Sequence, residues 1–161
     1  MEEEICCPKF DPKPWDETTH VWKDKLFITD TIKQFMHMPL PGQFGKVMTR
    51  MQELTKKCGV EVTDLNEFIV MSYDPSPWKS DIYMTVSGEH PDLKNTVKLS
   101  GTFLSKVFDG PYNHIPKYMK ETESFVQKQG FQPKKYYFYY TTCPKCAKKY
   151  GHNYIVVLVE V

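Results

Sequence analysis

The sequence predicts an α+β protein. Two pseudo-symmetric strand–helix–strand–strand modules are expected to form an antiparallel sheet, with helices on one side and a concave cleft on the other. Three observations carry this expectation. Residues 42–58 and 113–129 each place apolar side chains at spacings of three and four, the pattern of a helix with one buried stripe. Each stretch is followed by a glycine, Gly59 and Gly130, 71 positions apart. At that same offset Phe44 meets Ile115, Met48 meets Met119, Leu54 meets Phe125, Phe68 meets Tyr139 and Val86 meets Val157. Neither copy covers both faces of its strands alone, so the copies are expected to join and to leave a ligand-sized groove at the junction.

Residues 1–20 hold Pro8, Pro12 and Pro14 and predict an extended arm, because proline fixes φ and removes a donor. Its Phe10 and Trp15 need cover and are expected to lie against the domain body. The rest, residues 21–161, is one domain, with a first module over about 21–92 and a second over about 93–161. Residues 21–38 are β-prone without clean alternation, a bent strand stopped by Pro39 and Pro41. The first helix stripe is Phe44, Val47, Met48, Met51, Leu54 and Cys58.

Residues 68–73 form a strand, and Asp74-Pro75-Ser76-Pro77 predicts a turn. In the strand over residues 78–86, Ile82, Met84 and Val86 point one way and Asp81, Tyr83 and Thr85 the other. Residues 97–108 make a third strand, with Gly101 marking a bulge. After Asp109-Gly110-Pro111 comes the second helix, with the stripe Ile115, Tyr118, Met119, Thr122, Phe125 and Val126. Residues 136–140 are an aromatic strand. Residues 153–161 are nearly unbroken in apolar character, which places that strand in the middle of a sheet.

The net charge of +1 gives no global electrostatic case for nucleic acid or an anionic membrane. The acidic start Met1-Glu2-Glu3-Glu4 does not read as a secretory leader, and no apolar run is long enough to span a bilayer, so a cytoplasmic protein is expected. Five cysteines are too few and odd in number for a secreted disulfide framework. The sequence carries no Gly-rich phosphate loop and no Gly-x-Ser-x-Gly elbow.

Gly110-Pro111-Tyr112 after a strand, the helix up to Gly130 and the final strand pair resemble the GyrI-like, or effector-binding, domain family. The segment Thr141-Thr142-Cys143-Pro144-Lys145-Cys146-Ala147-Lys148-Lys149-Tyr150-Gly151 is similar to a stand-alone subgroup of that family loosely called hydrolases. The resemblance covers roughly residues 21–161. It implies a cleft for flat, often cationic or polycyclic, small molecules, and hydrolysis of strained rings in some members. It also implies a ligand-facing carboxylate early in the last strand of a module. Asp81 matches that place in the first module; in the second it falls to His152 or Asn153.

Asp81 lies close in sequence to Trp78 and Tyr83, an arrangement that holds a cation by charge and ring quadrupole and could serve general acid–base chemistry. The candidate ligand-binding residues are Trp15, Trp78, Tyr83, Tyr137, Tyr139 and Tyr154, with Asp81 the catalytic candidate. Alternation separates Tyr137 and Tyr139 from Phe138 and Tyr140 without saying which pair lines the cleft. Cys143 and Cys146 could supply half of a zinc site or a dithiol; otherwise no cofactor is expected. The readings are thus a small-molecule-binding hydrolase, a non-enzymatic sensor or sequestering protein, and a Cys-x-x-Cys zinc or redox element. The partner expected is an aromatic or hydrophobic small molecule.

Overall fold

A computed structural model describes residues 10–36, 38–39, 42–64, 67–141 and 148–161. The protein is a mixed α/β chain of mostly antiparallel strands with few helices. In order these are β1 (Thr18–Phe35), β2 (Met38–Pro39), α1 (Gln43–Lys57), β3 (Val70–Ser76), β4 (Lys79–Thr85), β5 (Thr96–Asp109), a 3₁₀ turn (Tyr112–His114), α2 (Ile115–Lys128), β6 (Lys135–Tyr140) and β7 (Tyr154–Glu160). The chain divides into two compact units. The middle unit is Trp22–Ser100; the terminal unit joins the described residues up to Val21 with Gly101–Val161.

In the middle unit the strand order is β2-β1-β4-β3. β4 is central, pairing antiparallel with β1 (Ile28↔Met84, Ile32↔Ser80) and with β3 (Val70↔Met84, Ser72↔Ile82). One face packs on α1 through Ile28, Ile32, Val70, Ile82, Met84 and Val86 against Val47 and Met51. Phe27, Met71 and Tyr83 alternate onto the opposite face and are also buried. Asp24, at φ 49°, marks a bend in the long β1. The arginine of α1 is tied to this sheet: Arg50 Nε donates to Asp30 Oδ2 at 2.8 Å.

The terminal unit orders its strands β6-β7-β5. β7 is central between β6 (Phe138↔Val157) and β5 (Leu104↔Val159), as its apolar run predicts. Leu104, Phe108, Phe138, Ile155, Val157 and Val159 pack on Tyr118 and Val126 of α2. Both helices end alike. Val60 N donates to Thr55 O and Gly59 N to Lys56 O; Phe131 N donates to Val126 O and Gly130 N to Gln127 O. These are Schellman stops, and the glycines at φ 68° and 85° supply the left-handed residue they need.

Two expectations are corrected. The turn placed at residues 74–77 is shorter, because β3 runs on to Ser76 with a register irregularity between Tyr73 and Ser76 that accommodates Pro75. The single offset of 71 holds for the helices and their stops, where the buried sets are Val47, Met51, Thr55 and Tyr118, Thr122, Val126, and for the last strand side, where Met84 and Val86 match Ile155 and Val157 against the helices, but not for β3 and β6. Phe68 precedes β3, and Tyr139 does not join the side chains packed on α2; the helix-facing pair Val70↔Met84 has its counterpart in Tyr140↔Ile155. The segment from Gly59 to Val70 is longer than that from Gly130 to Lys135, which puts β3 and β6 out of step.

Candidate functional site

Alternation in the terminal unit divides the tyrosines of β6 between two faces. Tyr136, Phe138 and Tyr140 pack on the α2 side, so Tyr137 and Tyr139 point to the other face. Tyr137, 1% exposed, is core there against Phe103 at 6.3 Å. Tyr139 meets rings of the arm: Phe10 at 5.8 Å and Trp15 at 5.5 Å, both edge-on. Edge-to-face pairs of this kind are the favoured arrangement of ring quadrupoles. Phe10 also sits 5.8 Å from Tyr154. Polar bonds hold the arm in place. Ser105 Oγ donates to Trp15 O and lies 2.7 Å from His20 Nε2, and Val107 N donates to Asp16 Oδ1.

Phe10, Asp11, Pro12, Tyr150, His152 and Tyr154 line a surface pocket of about 390 Å³. That volume lies within the size range of small-molecule sites. His152 stacks nearly flat on Tyr154, 5.1 Å between centroids and 12° between planes. Its Nδ1 lies 2.7 Å from Asp109 Oδ2, while Asp109 Oδ1 accepts the Asn153 N–H at 2.9 Å. Asn153 Nδ2 in turn donates to Gly110 O at 2.6 Å. The antiparallel register makes this possible, since Asp109 at the end of β5 is directly across from Tyr154 at the start of β7. Gly110 completes the corner for a steric reason: a Cβ there would collide with the Tyr118 hydroxyl.

Partial burial alone would raise the Asp109 carboxyl. The hydrogen bonds from His152 and Asn153, with the imidazole's charge, outweigh it and hold the group below its ordinary value. Asp109 is therefore a carboxylate near neutrality, and an acceptor-only group. Its neighbour Nδ1 must then carry a proton, so Nε2 is the ring nitrogen left to meet solvent or a bound molecule. The ring is 51% exposed by side chain and can reach solvent or a bound molecule.

Of the residues singled out in the sequence, Trp15, Tyr139 and Tyr154 converge with Phe10, and Tyr154 is part of the pocket wall. Asp81, Trp78 and Tyr83 belong to the middle unit. Asp81 accepts from Thr31 Oγ1 at 3.2 Å and has Lys79 Nζ at 3.8 Å. Tyr83 is 8% exposed and edge-on to Phe27; burial first, then the charges of Asp81 and Tyr73, push its phenol above its ordinary value. Trp78 is 54% exposed and pairs with Phe35 at 5.5 Å. Cys143 and Cys146 lie outside the described residues, as do Cys6 and Cys7.

Sequence reading did not single out Asp109 or its contact with His152. It sought a carboxylate at the head of the last strand and found His152 and Asn153 there. A carboxylate stands beside His152 from the neighbouring strand end: Asp109, directly before Gly110-Pro111-Tyr112.

Among the described residues no helix is long and apolar enough to cross a membrane. No curated protein matches the chain. Among solved structures it is similar to an uncharacterized conserved protein from Listeria innocua, at 11% identity and a TM-score of 0.61, over 88% of this chain and 90% of that one. That likeness concerns the fold. The model of one family, described as Bacterial hydrolase, matches residues 1–161, and the protein belongs to that family.

Proposed function

We propose that the terminal unit binds a flat, apolar, cationic small molecule at the Phe10–His152–Tyr154 pocket and hydrolyses it. The observation that carries this reading is the Asp109–His152 pair, 2.7 Å apart at the wall of an aromatic pocket. Phe10, Tyr150 and Tyr154 offer ring faces, and Asp11 offers a negative charge at the same wall. Rings and a carboxylate together favour an aromatic cation.

In the reaction His152 Nε2 takes a proton from a water as its oxygen attacks an electrophilic carbon of the ligand. The bond from that carbon to the leaving group breaks, and the imidazolium returns the proton to the leaving atom. Asp109 stays ionised, fixes the tautomer and stabilises the imidazolium. Positioned general-base catalysis of this kind contributes about 10²–10⁴-fold. Membership of the Bacterial hydrolase family supports the reaction class.

The test uses quinolinium aryl esters as probes, reading Trp15-dependent fluorescence for binding and released acid for turnover. Wild-type protein should do both. His152→Gln should keep binding and lose about a hundredfold in turnover. Binding without turnover in the wild type would leave a sensor or sequestering protein, the non-enzymatic alternative.

A further inference from the structure

In the middle unit three side chains of different chemistry meet outside the pocket described above. Cys58 Sγ, a ring nitrogen of His90 and a carboxylate oxygen of Asp92 all lie within 4.8 Å of one another. We infer that Cys58, His90 and Asp92 form a zinc-type metal site that keeps one coordination position for water.

The donor set is the first reason. A thiolate, an imidazole and a carboxylate suit Zn²⁺, whose bonds of about 2.0–2.3 Å place tetrahedral ligands about 3.5 Å apart. Binding an ion would draw the three donors in from the 4.8 Å within which they lie. The second reason is that backbone and core hold the three together. Cys58 caps the end of α1, and its N–H donates to Leu54 O at 3.0 Å. The segment bearing His90 and Asp92 is tied to that helix end by Ser87 N to Val60 O at 2.8 Å, and it is closed on itself by Leu93 N to His90 O at 2.9 Å. Leu93 is buried in the same apolar cluster as Cys58 and Val60.

The placing of the histidine and the carboxylate gives the third reason. The Asp92 N–H donates to the His90 Nδ1 lone pair at 3.1 Å, so an ion bound through Nδ1 takes the place of that hydrogen bond. Asp92 Oδ2 lies 3.8 Å from that same nitrogen, so nitrogen and carboxylate already face one region. Position along the helix gives the fourth, since a cation at the C-terminal end of α1 meets the negative end of its dipole. Cys58 is 9% exposed, whereas the Asp92 side chain is 67% exposed, so the region is apolar on one side and wet on the other. A water completes the set from the wet side.

The experiment uses the full-length chain, stripped with chelator and titrated with Co²⁺ and Zn²⁺. The other thiols are first removed by replacing Cys6, Cys7, Cys143 and Cys146 with Ser, which leaves Cys58 as the one cysteine. This protein should take up one equivalent of Co²⁺ with a near-ultraviolet thiolate-to-cobalt charge-transfer band, and Zn²⁺ should displace it and raise Tm. Adding Cys58→Ser should abolish the band. In the otherwise wild-type chain, His90→Gln and Asp92→Asn should each weaken binding at the Cys58 site about tenfold or more. The inference is overturned if the one-cysteine protein folds yet shows no band. Should that protein not fold, the wild-type background decides: unchanged cobalt spectrum and zinc affinity on Cys58→Ser, His90→Gln and Asp92→Asn also overturns it.

Discussion

Set side by side, the two units share their helix sides and differ on the other. In each, the strand before the helix and the hairpin after it form three antiparallel strands with the last strand central. In each, one helix presents three buried side chains and stops in a Schellman turn. On the opposite face the middle unit carries Asp81 beside Lys79 and Thr31, whereas the terminal unit carries arm rings, a pocket and Asp109 beside His152. A lysine next to a carboxylate is a cation that does not accept a proton at neutral pH. An imidazole there can give and take one. The scaffold places a carboxylate in both units; the partner decides whether proton transfer can occur.

The comparison breaks most visibly in the helix stripes if they are less alike than their spacing suggests. Met51 and Thr122 occupy matching stripe positions, 2% and 0% exposed. Met51→Ala opens a cavity and should cost about 3 kcal/mol in urea unfolding. Thr122→Ala removes less volume and a hydroxyl bonded to Tyr118 O at 2.7 Å, and should cost about 1 kcal/mol. Equal losses would show that the stripes do not bear equal packing.

The faces opposite the helices are tested next. His152→Gln or Asp109→Asn should lower turnover of the quinolinium ester by about a hundredfold, equivalent to about 2.7 kcal/mol in the barrier. Asp81→Asn should leave it within about twofold, because Asp81 touches Thr31 and Lys79 and no imidazole among the described residues. A collapse of activity in Asp81→Asn with wild-type rates in His152→Gln would move the chemistry to the middle unit.

Legibility in the sequence tracks locality. The periods of α1 and α2, their stop glycines and the central apolar strand β7 depend on near neighbours, and each was readable. The failures are matters of register. A few extra residues between Gly59 and Val70 put β3 out of step with β6, so Phe68 and Tyr139 do not correspond, whereas Val86 and Val157 do. Asp109 and His152 are 43 positions apart, and only the β5–β7 pairing brings them to 2.7 Å. Spacing in a chain says nothing of such a pair unless the register of two strands is known.

Gly59→Ala and Gly130→Ala sharpen the likeness of the helix ends. Both glycines hold left-handed φ with open space at the Cβ position, so strain is the whole penalty, about 1 kcal/mol each. Gly110→Ala should differ from both, since its difficulty is the Tyr118 hydroxyl and not φ.

The smallest effect concerns acid. Among the described residues each unit has one carboxyl that partial burial would raise and that its bonds hold below the ordinary value instead: Asp30 with Arg50 and Thr31, Asp109 with His152 and Asn153. A depressed folded-state pKa means that the unfolded chain binds the proton more readily. The stabilisation is then complete above the unfolded value of about 4 and is lost as pH falls through the folded value. Both pairs are substantially exposed, so screening keeps each contribution small. Asp30→Asn and Asp109→Asn should each flatten the fall in Tm below about pH 4 without moving the plateau far. Between the two, added salt should weaken the Asp109 effect more, because the Asp30 side chain is less exposed (25%) than that of Asp109 (43%). A steeper acid limb in either variant would mean that the carboxyl is destabilising where it sits, and that the hydrogen bonds around it do not outweigh its burial.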